Sequence, residues 1–338
     1  MDRKTGIDLG TSHLRLCVKG RGLVYDEPTA AAFNTDGELT DHGGRAYRML
    51  GKDPPGRDVV RPLSGGVISN FEDCVELLSA VMTKTGVRGI LSRPKTAISV
   101  PYGITEVECN AFENVCVAAS GGHDVFMLIK QPMAAAIGCG VDVLGTRGRL
   151  ICDIGGGNIQ TSVILYKGIV AAGMARVGGD QLDEGIVRYV KDSYNVAIGR
   201  RTAENIKIQI GSAHRLTEHG DLAVSGRNLL TGQVVRALLR SSEIREAMSP
   251  VLETLTDQIK SVLEKIPPQL SADVYESGMT LCGGTANLPG IDLMLQEKLG
   301  MTVKVTESPE LAVIRGTEKI LGAAGELLEV VSAGEDYQ

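Results

Sequence analysis

Asp8 and Asp153 each close an apolar run and stand just before glycines, in the segments GIDLGTSHLRLCVKG (residues 6–20) and LICDIGGGNIQTSVILYKG (residues 150–168). Glycines let a backbone come close to an anion, and successive N–H groups in such a turn form a nest for phosphate. The acid cannot serve the phosphate itself, since like charges repel, but it can hold a hydrated divalent cation beside it. Both segments read as a strand ending in an acid, a glycine turn, a second apolar strand and a Lys-Gly turn. Two such hairpins imply two related halves gripping one nucleotide–metal complex. Taken singly, Asp-x-Gly-Thr, Gly178-Gly179 and Gly283-Gly284 are ordinary turn strings. Glu204 and Lys207 share a helical face, which suits a solvated ion pair or contact with ribose hydroxyls. Their order along the chain is what favours a binding site: hairpin, hairpin, Gly-Gly-Asp, Glu-x-x-Lys, Gly-Gly-x-Ala.

Strand and helix signals that could position these groups alternate throughout. Residues 94–100 read as a strand, residues 106–119 as a helix, and residues 125–129 as a strand leading through Gln131 and Pro132 into a small-residue helix to Gly138. Beyond the second hairpin, residues 169–174 are expected as a strand, and Leu182, Ile186, Val187 and Val190 share one face of a helix. Thr202 reads as the cap of the next helix, running to about Ser212. Residues 216–235 carry turn signals between short antiparallel strands. A short helix at residues 242–248 is expected to break before a second one, with Ser249 as its cap and Pro250 at its first position. Residues 279–282 form a last strand, and a helix with a frayed tail follows Ala324.

A chain of 338 residues suits about two domains. Net charge is −6, which argues against a nucleic-acid surface, because phosphate contacts need clustered Lys and Arg. The seven cysteines lack metal spacing and sit mostly among apolar neighbours, as reduced core residues of a cytosolic protein do. No signal peptide and no apolar run near 18 residues is present.

The full series of motifs resembles the MreB/Mbl family of actin-like ATPases, over nearly the whole chain. The resemblance is carried by Asp26-Glu27-Pro28, Arg61-Pro62-Leu63, Pro101-x-Gly103-Ile104-Thr105-Glu106, Pro132 through Gly138, Asp153 through Gly157, Val177 through Asp180, Arg201 through Glu204, and Glu243 through Ala247. It implies an α/β actin-like fold: duplicated ribonuclease-H-like lobes around a nucleotide cleft, each with an inserted subdomain. Lobe I would comprise residues 1–28, 68–140 and 308–325, with residues 29–67 inserted. Lobe II would comprise residues 141–176 and 243–307, with residues 177–242 inserted and 326–338 as tail. The resemblance implies ATP and Mg2+ as cofactors. Gly10, Thr11 and Ser12 would cradle phosphate from one side, and Gly155, Gly156 and Gly157 from the other, while Asp8 and Asp153 face magnesium through water. Glu204, Asn205, Ile206 and Lys207 would meet ribose and adenine, and Gly283, Gly284, Thr285 and Ala286 would complete the adenine pocket. It further implies head-to-tail double protofilaments on the inner face of an anionic cell membrane, working with cell-wall elongation proteins to maintain rod shape. A sugar kinase of this fold would need a further catalytic Asp. A chaperone of this fold would need a long substrate-binding region, which is not expected in a chain reaching Gln338.

The chain departs from that family at three places. It has His13 for the usual Asn, Lys130-Gln131 for a Glu-Glu pair, and Asn158-Ile159-Gln160 for Thr-Thr-Glu. Hydrolysis needs a water held in line with the terminal phosphate. Gln131 can orient a water but not take its proton, and Ile159 offers no hydrogen bond. Gln131, Asn158 and Ile159 are therefore read as degenerate catalytic positions, with ATP binding retained and turnover slow. Residues 1–4 are too short for an amphipathic anchor. Ile90 and Leu91, flanked by Arg88, Arg93 and Lys95, are expected to insert into lipid.

Overall fold

The computed structural model describes residues 4–52, 54–89, 95–122 and 125–323. The chain opens with the meander β1 (Lys4–Leu9), β2 (His13–Val18) and β3 (Gly22–Pro28), followed by β4 (Ala31–Asn34), β5 (Leu39–His42), α1 (Gly44–Tyr47) and β6 (Arg57–Val60). After the short pair β7 (Leu63–Ser64) and β8 (Val67–Ile68) come α2 (Phe71–Lys84), β9 (Lys95–Val100), α3 (Glu106–Ser120), β10 (Val125–Lys130) and α4 (Gln131–Gly138). A second meander follows: β11 (Arg149–Ile154), β12 (Ile159–Leu165) and β13 (Gly168–Ala175). Then come α5 (Gly179–Tyr194), β14 (Val196–Ala197), α6 (Arg200–Ile210), β15 (Asp221–Asn228), β16 (Val234–Arg240), α7 (Ser241–Leu263) and α8 (Pro268–Ser277). β17 (Met279–Cys282), α9 (Ile291–Leu299), β18 (Val303–Val305) and α10 (Ala312–Gly322) complete the described chain.

The duplication expected from the two hairpins is present in the sheets. One has the order β10-β9-β1-β2-β3 and the other β18-β17-β11-β12-β13. In each, an antiparallel meander is extended by two parallel strands on the side of its first strand. Strands flanked on both faces must be apolar on both, and residues 5–9 and 150–154 are buried without interruption. On the first sheet, Leu77, Val81, Phe112 and Val115 of α2 and α3 meet Ile7, Leu14 and Ile98. On the second, Leu182, Ile186, Leu255 and Ile259 of α5 and α7 meet Cys152, Ile159 and Val163. A third cluster joins the sheets, with Ala134, Ala135 and Ile137 of α4 and Ile320 of α10 against Ile151, Ile164 and Cys282. The two helices cross so tightly that a Cβ on Gly316 would stand 1.7 Å from the Ala134 carbonyl oxygen. Only glycine admits that approach.

Two helix boundaries differ from the sequence reading. The expected break at Ser249-Pro250 is absent, and α7 runs unbroken through Pro250. Proline removes the N–H that would satisfy the carbonyl four residues back. That carbonyl, on Glu246, accepts instead from the Ser249 hydroxyl at 3.1 Å. Ser249 therefore repairs a helix that it was expected to start, while Met248, Leu252 and Leu255 keep one buried face on either side. α6 begins at Arg200 after Gly199, one turn before the expected cap Thr202, and ends at Ile210. The expected strand at 94–100 is described from Lys95 on. The expected tail after Ala324, and Ile90 and Leu91, lie outside the described residues.

Candidate functional site

Each sheet carries its acid to an equivalent point. Asp8 pairs in register with Ser99 on β9, and Asp153 with Cys282 on β17, the matching parallel neighbours. Both carboxyl groups are buried. Burial pushes the Asp153 carboxyl up to about 7, and the negative charge of Asp8 adds to this. Burial raises Asp8 too, against the opposing pull of Arg15, whose guanidinium lies 3.8 Å away, and of the Ser99 hydroxyl.

The turns beyond the acids meet across the cleft. A Cβ on Gly156 would stand 1.8 Å from Ser12 Oγ, and one on Gly157 2.5 Å from Thr11 Oγ1. From behind, Gly179 N–H and Asp180 N–H at the start of α5 hold the carbonyls of Gly155 and Gly156, at 3.1 and 2.8 Å. Among the described residues, the N–H groups of Thr11, Ser12, Gly156 and Gly157 donate to no backbone carbonyl. Opposed donors of this kind, next to a helix N-terminus, suit a polyanion.

These turns open on a cavity of about 240 Å³. Of the residues singled out from sequence, Asp8, Gly10, Thr11, Ser12, Gln131, Asp153, Gly155, Gly156, Gly157, Asn158, Glu204, Lys207, Gly283, Gly284 and Thr285 line it. Asn205, Ile206, Ala286 and Ile159 are not brought to its wall. Ile206 and Ala286 are buried in the core of the second half. Ile159 is fully buried among Leu182, Ile186 and Val163, because side chains alternate along β12 and Asn158 and Gln160 take the other face. Ile159, read as a degenerate catalytic position, therefore sits in the core and off the cavity wall. Asn158 lines the cavity, with its amide nitrogen 3.7 Å from Met174 Sδ.

Several lining residues escaped the sequence reading. Asp183, three residues after Asp180 on α5, pairs with Lys207 at 2.8 Å, and Lys207 also donates to the Gly179 carbonyl at 3.0 Å. Burial pushes the Asp183 carboxyl up to about 6 in spite of that ammonium. The signal was an Asp-x-x-Asp spacing after the glycine pair, complementary to Glu204-x-x-Lys207. Contacts bridge the cleft from the small sheet β5-β4-β6 and its surroundings, among them Arg201, which donates to the Arg48 carbonyl at 2.9 Å. Arg61 pairs with Asp180 at 3.0 Å and donates to the Thr11 carbonyl at 2.9 Å. The Tyr47 hydroxyl donates to the Glu204 carboxylate.

The donor set suits one hydrated divalent cation. Among the described residues, no cluster of three or more His, Cys, Asp or Glu could enclose a metal by itself. Two buried carboxyls, with the charge of Asp8 raising the proton affinity of Asp153, beside an anion cradle, match an ion that keeps most of its waters and takes phosphate oxygens. A larger open groove of about 890 Å³, between Phe33, Arg57 and α2, presents Asp58, Glu72, Asp73 and Glu76. Its four acids outnumber Arg57 and would repel an anion.

Comparison with known proteins follows the same line. The family model described as MreB/Mbl protein matches residues 2–329. Cell shape-determining protein Mbl of Bacillus subtilis is 36% identical over 320 residues, covering 94% of this chain and 96% of that protein. Crystal structures of Spiroplasma citri MreB5 superpose with TM-scores of 0.89 when bound to AMPPNP and 0.90 when bound to ADP, at 32% and 30% identity. They cover 95% and 100% of this chain, and 96% and 99% of theirs. MamK, solved as a double helical filament, shares the fold with a TM-score of 0.80 at 19% identity, covering 96% of this chain and all of that one.

Proposed function

The chain belongs to the MreB/Mbl family, and from that premise we propose that it is an ATP-binding, actin-like cytoskeletal protein that polymerises and organises cell-wall synthesis to maintain cell shape. The observation that carries the nucleotide reading is the meeting of residues 10–12 with residues 155–157 beneath two buried acids. Their N–H groups would hold the phosphates, and Asp8 and Asp153 would orient the waters of Mg2+. When bound, that ion would neutralise charge on the terminal phosphates. Glu204 and Lys207 would meet the ribose side, and Gly283, Gly284 and Thr285 the base. AMPPNP and ADP in the related MreB5 support this reading.

The Tyr47 hydroxyl ties the small sheet's side of the cleft to Glu204 on the cavity wall, and nucleotide exchange is proposed to require that this contact break. Tyr47→Phe should therefore release a fluorescent ATP analogue about tenfold faster, the loss expected for one hydrogen bond to a carboxylate at a part-exposed site. Stopped-flow displacement measures this, and an unchanged rate would place the gate elsewhere.

Polymerisation would proceed head to tail, with the insert at residues 29–67 meeting the next subunit, paired into double protofilaments. A heterologous repeating contact gives an open filament and not a closed ring. Electron microscopy and sedimentation with Mg–ATP test it: filaments are expected, and monomers in every nucleotide, concentration and lipid condition would overturn it. The division into lobes at residues 28, 68, 140 and 308 belongs to the same proposal, supported by the matched sheets.

The filament would lie in the cytoplasm against the inner face of the cell membrane, near the cell-wall elongation proteins. No helix among the described residues is long and apolar enough to cross a membrane, and Ile90 and Leu91 are the candidate peripheral contact. Basic neighbours contribute about 1 kcal/mol each near anionic lipid, and a polymer multiplies weak contacts by avidity. Polymerised protein should co-sediment with anionic vesicles, and changing Ile90 and Leu91 together to Ser should abolish this. Unchanged co-sedimentation would put the anchor in other residues.

A further inference from the structure

Gln131 opens α4 on the cavity wall, and Gln160 reaches it from β12 of the other sheet. Three groups form a chain: Tyr102 N–H to Gln160 Oε1 at 2.7 Å, and Gln160 Nε2 to Gln131 Oε1 at 2.6 Å. Which end of each carboxamide carries oxygen follows from the donors alone. A backbone N–H can only donate, so the Gln160 atom facing Tyr102 is its oxygen. The Gln160 nitrogen is thereby turned to Gln131, which must answer with its own oxygen. The Gln131 Nε2 makes no hydrogen bond among the described residues, and it is not among the fully buried polar atoms without a partner. It is the end left to the cavity.

Resting on the ATP-binding reading above, we propose that Gln160 is a positioning residue that locks Gln131 with its amide N–H groups toward the nucleotide, so that the site offers a donor where hydrolysis needs an acceptor. Hydrolysis forms a bond from water oxygen to the terminal phosphorus and breaks the bond to the bridging oxygen, whose electrons leave with the diphosphate. The water must also lose a proton. A donor turned toward the site can bind a phosphate oxygen but can neither take that proton nor accept a hydrogen bond from the water, so the proton passes to the phosphate or to solvent. The same lock ties Tyr102 and Gln131 of the first half to β12 of the second, so it also couples the two halves without nucleotide.

Gln160→Glu separates the parts of this proposal. The carboxylate still accepts from Tyr102 N–H but cannot donate, so Gln131 turns its nitrogen to position 160 and its oxygen to the cavity. Calorimetric affinity for AMPPNP should stay within about twofold, while phosphate release from Mg–ATP rises about fivefold or more, within the range for one oriented group. In a Gln131→Ala background the same change should leave release unaltered. The nucleotide-free protein gives an independent reading: Gln160→Met should lower Tm in the Gln131 protein by clearly more than in the Gln131→Ala protein. AMPPNP binding with unchanged release, equal acceleration in both backgrounds, or equal Tm losses in both would overturn the lock alone. No AMPPNP binding by the unaltered protein would overturn the ATP reading and the catalytic role of the lock with it.

Discussion

Gly178→Ala should weaken AMPPNP binding by about 10- to 100-fold, which corresponds to the 1–3 kcal/mol typical of forced overpacking. The backbone at Gly178 is extended (φ −169°), so alanine meets no conformational penalty there. The penalty is contact: its Cβ would stand 2.5 Å from the Gly155 carbonyl oxygen and 2.8 Å from that of Gly156. Those atoms are backbone and cannot rotate away, so the phosphate turn itself must move. Gly179→Ala is the control. Its Cβ would meet the side-chain tips Thr285 Oγ1 at 3.0 Å and Lys207 Nζ at 3.3 Å, which can yield, and it should lose several-fold less. Calorimetry on both variants checks the contrast, and equal affinities would mean that the position of the turn does not govern binding.

The second large effect concerns turnover. Gln131→Glu should speed phosphate release by about ten- to a thousandfold, because positioned electrostatics supply most of the catalysis in phosphoryl transfer. Gln160 Nε2 would donate to one carboxylate oxygen and leave the other for the water. Ile159→Thr, which the sequence alone would rank beside it, should give no acceleration. It should instead lower Tm, since it removes buried carbon and places a hydroxyl in the core at a cost of about 1–3 kcal/mol. Phosphate release and thermal unfolding of the two variants, with Asn158→Thr beside them, separate the contributions. A gain that came from position 159 and not from 131 would contradict the geometry.

That contrast shows what was legible in the sequence. The duplicated Asp–glycine hairpins announced both sheets, because a strand ending, a turn and a second strand are local and leave their pattern in consecutive residues. The burial of Ile159 was not legible because it depends on which face of β12 the residue takes, and that is set by α5 and α7 packing from far along the chain. Asp183 escaped for a similar reason: its partner Lys207 sits on another helix. Pro250 misled because the compensating bond from Ser249 uses a residue equally suited to a cap. The bridges from Arg61 and Tyr47 join segments more than a hundred residues apart, and no local pattern could reveal them.

The function proposed for this chain depends on the two turns holding a nucleotide with magnesium between Asp8 and Asp153. Calorimetric titration of the intact protein with AMPPNP, with and without Mg2+, tests this most directly, in parallel with Asp153→Ala. One nucleotide per chain is expected, bound more weakly when magnesium is removed, with an Asp153→Ala protein in which magnesium no longer strengthens binding. No saturable binding by the intact protein, or a magnesium dependence that survives Asp153→Ala in full, would contradict it.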